Sequence, residues 1–161
     1  MRTRVEEKIR IVVERMERLT YVFEDLTGAN LKLDSAALPA FVNVMPLTGS
    51  IRITPTQIKD FPNCSFWFVD KVRMDEDADG IQNVVERCKD YAYEFLLLLN
   101  RSRFFEPVEN TDVSLQVVTG DFDANVCGVM ISLQLRERTG LVLCNDKEPR
   151  DYFDGRCVEC K

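Results

Sequence analysis

The order of hydrophobic patterns predicts an α+β fold, in the order α-β-β-α-β-β, with two helices packed on one face of an antiparallel sheet. Two stripes at helical spacing and several alternating runs carry that prediction. The stronger stripe is Ile81, Val85, Cys88, Ala92, Phe95 and Leu99, in steps of four and three, and it predicts a central helix over 79–100. Asp79 is its expected N-cap, with Asp75, Glu76 and Asp77 near the positive end of the helix dipole. The last turn, Phe95 to Leu99, is apolar all round, so Leu96 and Leu97 need a second cover and are candidate interface residues.

From the start of the chain, Val5, Ile9, Val12, Met16, Leu19, Phe23 and Leu26 draw a second stripe and predict a helix over 4–26. Ile11, Val13, Tyr21 and Val22 widen it beyond one core face, which makes Tyr21 and Val22 candidate interface residues. A polar link with Pro39 leads to a short strand at 41–45, a turn at Pro46-Leu47-Thr48-Gly49 and a short edge segment at 50–54. Residues 55–63, with two prolines, are expected to be a loop. Cys64 to Val72 then alternates as a strand, with Trp67 on the sheet face away from the helices, a further candidate interface residue.

After the central helix, Phe104-Phe105-Glu106-Pro107 makes a corner and 113–117 alternates as a strand. Gly120-Asp121-Phe122-Asp123 is turn chemistry. The strongest strand is 125–138, with Cys127, Val129, Ile131, Leu133 and Leu135 on one face. Leu141 to Cys144 continues it after Gly140. One domain over 1–144 and a polar arm without periodicity over 145–161 follow as the expected organisation.

Composition narrows the function classes. A hydrophobic share of 45% beside 30% charged residues is that of a globular chain. The net charge of −6 argues against gripping nucleic acid over the whole surface, although a local basic patch is compatible with it. Arg2, Arg4, Glu6, Glu7 and Lys8 interrupt any apolar leader, and no run approaches the ~20 residues of a bilayer span. The expectation is a protein kept in the cytosol, with no membrane partner. There is no histidine, which removes Ser-His-Asp and Cys-His catalytic sets and His-ligated metal. With no phosphate-binding glycine motif either, no enzyme and no cofactor are expected.

Two constellations could hold metal. Asp75, Asp77 and Asp79, with Gly80 and Glu86 at the twelfth place, match the spacing of a calcium loop. A strand precedes them where an EF-hand needs an entering helix, so the preferred reading is a solvated acidic helix cap. Cys144, Cys157 and Cys160 offer three thiols to zinc, one short of a tetrahedral set, and free thiols are preferred. Cys88 and Cys127 sit in apolar patterns as small core residues.

Several segments resemble small proteins in the tail-gene modules of phages and prophages of gut bacteria. They are Pro46-Leu47-Thr48-Gly49, Phe61-Pro62-Asn63-Cys64, Phe68-Val69-Asp70-Lys71, Leu98-Leu99-Asn100-Arg101-Ser102 with Phe105-Glu106-Pro107, Asp123 to Val129, and Leu133-Gln134-Leu135-Arg136-Glu137. The likeness runs from about Phe41 to Cys144, and the order of elements is similar to tail-completion and tail-terminator proteins. That resemblance implies a structural ring, a homo-oligomer and a hexamer by family habit, joining head to tail. Its implied partners are the tail tube and the neck or connector proteins, with DNA only as passing cargo. Its implied location is the host cytoplasm during assembly and then the virion. The alternative from another class is a calcium- or zinc-binding regulatory module.

Overall fold

The computed structural model describes the backbone of residues 4–109, 113–143, 149–153 and 156–157, and side chains as far as Gly140. The elements are α1 (Val5–Glu14), β1 (Thr20–Glu24), α2 (Leu26–Leu33), β2 (Ala40–Val44), β3 (Gly49–Ile53), β4 (Gln57–Lys71) and α3 (Ala78–Arg101). After these come β5 (Ser114–Thr119), β6 (Val126–Gln134), β7 (Leu141–Leu143), β8 (Pro149–Phe153) and β9 (Arg156–Cys157). The fold is a mostly antiparallel α+β arrangement, and the one parallel pairing among the described strands joins β1 to β2.

The long strand β4 is the hub. Its carboxy-terminal half pairs with β2 on one edge and β6 on the other, and β5 extends the sheet beyond β6. Helices α1 and α3 cover one face. There α3 buries Val84, Val85, Cys88, Ala92, Phe95 and Leu99 against Phe66, Phe68, Val129 and Ile131, while α1 adds Ile9, Val12, Val13 and Met16. Phe41, Phe66 and Phe68 surround the Phe95 ring with centroids 5.0, 5.2 and 5.8 Å away, a packed aromatic centre. The cap of α3 is Asp77, not Asp79: its carboxylate accepts the Gly80 N–H at 2.8 Å.

Sequence expectation fails at the amino terminus. The helix expected over 4–26 stops at Glu14, and Glu17 turns the chain with φ of 58°. Thr20-Tyr21-Val22-Phe23 is a run of β-branched and aromatic residues, which favours extended backbone. It becomes a strand with Tyr21 on the helix side and Val22 on the other. The surplus apolar surface read on a helix is the two-sided burial of a strand.

The face opposite α1 and α3 is covered as well. Helix α2, N-capped by Asp25 (2.7 Å to the Gly28 N–H), puts Ala29 and Leu33 against Val22, Val42 and Val69. Phe122, from the β5–β6 turn, packs edge-on to Trp67 with centroids 5.0 Å apart. Asn30 holds that turn, donating to the Asp123 carboxylate at 2.6 Å and accepting its N–H at 2.9 Å. Gly128 lets β6 cross β4 closely, because a Cβ there would collide with the Phe68 carbonyl.

Two further segments depart from the sequence expectation. Residues 57–63 are strand, so the expected 55–63 loop shrinks to a hairpin turn. Of the expected arm 145–161, the described parts are strands, with β8 paired to β7 and β9 to β8. Among the described residues no helix is long and apolar enough to cross a membrane.

Candidate functional site

The amino-terminal half of β4 leaves the two covered layers and forms a ribbon with β3, closed by a turn at Thr54–Gln57. Pro55 suits the second place of such a turn, and Thr54 N–H donates to the Gln57 carbonyl at 2.9 Å. The β6 side occupies one edge of this half, where Leu135 N–H donates to the Pro62 carbonyl at 3.0 Å and β7 pairs with Gln57 and Ile58. Strand β3 therefore holds the other edge, in line with β2 after a break at Met45–Thr48. Strand β1 covers the outer edge of β2 only as far as Val44, because Asp25 then caps α2. Beyond that point β3 pairs, among the described strands, with β4 alone.

Register assigns the ribbon's faces. Ile51 lies opposite Asp60 and Ile53 opposite Ile58, so the three isoleucines share a face; Arg52 lies opposite Lys59 on the other. Ile51 is 66% exposed and Ile53 74%. Two like charges facing each other add strain to an edge that has no cover. Neither cation makes an ion pair among the described residues.

A groove of about 400 Å3 separates α1, through Val5, Glu6 and Ile9, from Ile51 on the ribbon. A second of about 580 Å3, lined by Leu26, Met45 and Leu133, shares the Pro46–Thr48 rim. The first groove is built by polar chemistry. Lys8 and Glu137 form a buried ion pair at 2.9 Å, and the same carboxylate accepts the Asp60 N–H at 2.8 Å, tying α1 to the base of the ribbon. Beside it Asn43 donates to the Tyr21 hydroxyl, which donates to Glu6, both at 3.0 Å; Arg10 pairs with Glu6 at 2.8 Å. Burial, more than any neighbour, pushes the Tyr21 hydroxyl well above its usual range. Asn43 Oδ1, also in this groove, and Trp67 Nε1 are buried without a partner among the described residues.

The residues singled out from sequence are dispersed. Asp77 caps α3, Asp75 pairs with Arg73 at 3.3 Å, and Glu86 accepts from Gln82 and Lys89 along the exposed helix face. Asp79 lies in the first helical turn. Among the described residues no three potential ligands are grouped to hold a metal. Cys144 and Cys160 lie outside the described residues, as does the side chain of Cys157. The other three thiols are buried, and burial pushes Cys64 and Cys88 up to about 12.

Of the candidate interface set, Val22 is buried and Tyr21, Trp67 and Leu96 are part of the packed layers; Leu97 alone, at 60% exposure, is open. This corrects Tyr21, Val22, Trp67 and Leu96 as interface residues, because strand β1, helix α2 and Phe122 bury what an isolated pair of helices would leave bare. Comparison with protein-family models, curated proteins and solved structures finds no match. Sequence reasoning missed the ribbon, although alternating Ile51 and Ile53 across Thr54-Pro55-Thr56 from Ile58 was a readable hairpin signal.

Proposed function

We propose that this protein is a structural component of a ring that completes a phage tail and joins it to the head. The observation that carries the reading is the bare ribbon: an unpaired strand edge bearing exposed isoleucines is surface suited to another protein. The resemblance of Pro46–Gly49 and Phe61–Cys64 to tail-module proteins supports it, since these segments form the break and the bend from which the ribbon springs. Asn100, in another of those segments, accepts the Val108 N–H at 2.8 Å and donates to its carbonyl at 3.3 Å, closing the loop after α3. In this reading the protein self-associates, contacts tail tube and neck proteins, and lines a passage whose acidic balance repels DNA phosphate. The metal-binding alternative gains nothing from carboxylates already engaged in capping and ion pairs.

Negative-stain images of purified protein mixed with tails lacking their terminator test the proposal. Extra density at the tail's upper end, and recovery of head joining, are expected. Tails that stay bare and fail to join overturn it.

A further inference from the structure

Resting on the reading of the protein as a ring component, we propose that subunits join edge to edge, β3 of one copy against β5 of the next. Among the described strands both pair on one side only, β3 with β4 and β5 with β6. They lie at opposite margins of the sheet, because β3 continues the line of β2, on the far side of β4 from β6.

The two margins match in chemistry. In β5, Leu115 and Val117 lie opposite Ile131 and Val129, whose side chains pack beneath the helices, yet they remain 42% and 47% exposed. In β3, Ile51 and Ile53 lie on the side of the α1 groove. Both apolar pairs therefore stand on the helix side of the sheet, two residues apart in each strand. Edge pairing sets them side by side as one row, while the backbone groups of both margins find partners.

Charge selects this combination over the alternatives. Arg52 and Lys59 make the ribbon basic, so two ribbons from different copies repel. The turn after β5 carries exposed Asp121, which has no ion pair among the described residues. Asp121, just past the end of β5, thus gives that margin a carboxylate to set against Arg52 and Lys59. Strand β1, another margin paired on one side among the described strands, is half-buried and offers less. Because the joining surfaces differ, the contact is head-to-tail, and it closes into a ring when the rotation allows.

The test uses two variants, each spoiling one margin: Ile53→Asp on β3 and Val117→Asp on β5. Light scattering behind size exclusion should show closed oligomers for the native chain and monomers for either variant alone. Mixed in equal amounts, the variants should form dimers, since each retains the margin that the other has lost. A circular-dichroism melt checks that each is folded, and Leu115→Lys replaces Val117→Asp if that melt falls. A variant that remains oligomeric, a mixture that stays monomeric, or a native chain that is monomeric at every concentration overturns the proposal. Native protein that is monomeric yet binds tails overturns the edge pairing and leaves the tail reading standing; oligomers that ignore tails do the reverse.

Discussion

The two halves of β4 share one backbone and live in opposite environments. From Cys64 to Val69 the strand lies between two layers, with Phe66 and Phe68 under the helices and Val69 facing α2. From Gln57 to Asp60 it is one limb of a ribbon whose other limb is exposed at every position. Alternation sufficed to find the first half, because both its faces repeat with period two. The second half breaks the pattern with Lys59, Asp60 and Pro62, residues suited to an edge. The difference teaches that burial in this sheet follows the helices laid over it, and strand pairing extends past the point where cover ends.

The largest expected effect comes from breaking the covered half. Phe95→Ala should cost about 3–5 kcal/mol, because three phenylalanine rings lose the side chain they surround. The urea midpoint measures it; an unchanged value would mean that α3 does not pack through Phe95. Next comes the link between the halves. Lys8→Met leaves Glu137 charged and buried, at a cost of about 3–5 kcal/mol, and Lys8→Met with Glu137→Leu should cost less than Lys8→Met alone. Chemical denaturation of both variants reads the difference, and equal losses would refute a charge-based cost.

A smaller effect follows from the thiols. Cys64 and Cys88 titrate near 12 when folded, against 9.0 ordinarily, so between those pH values the unfolded chain binds fewer protons than the folded one. Their contribution is complete below pH 9 and is lost as pH rises towards 12. Cys88→Ala should therefore flatten the alkaline fall of the urea midpoint relative to the native chain; identical slopes would contradict it. The smallest change belongs to the bare half. Ile51→Ala should shift folding stability within about 0.5 kcal/mol, in contrast to a core truncation. A thermal melt lowered as far as by Phe95→Ala would show the ribbon to be core after all.

Much of the covered half was legible in advance. The α3 stripe and the inward face of β6 are buried as their spacing predicts, and the α+β class follows from them. What was illegible has local causes. Residues 16–26 satisfy both helical spacing and alternation, and only pairing with β2 decides between them. Helix α2 has a weak apolar pattern (Leu26 and Leu31 are exposed), so the cover it gives Val22, Val42 and Val69 could not be foreseen. The acidic run at 75–79 lies at the amino end of α3, with the cap at Asp77, two residues earlier than the spacing predicts. The ribbon was lost because two prolines within nine residues suggest a loop, while Pro62 in fact sits where the sheet divides.

The turn at Thr54–Gln57 has one more consequence. Bonds following Arg52 and Lys59 flank this hairpin, whose β3 limb is exposed at every position, and both are of the kind trypsin cleaves. Little packing depends on the peptide between them, so a chain cut there should keep its core and remain associated under native conditions. Neighbouring subunits seated on β3 would hide the same bonds. If copies do join through β3, nicking should be fast on free chains and slow once the margins are joined.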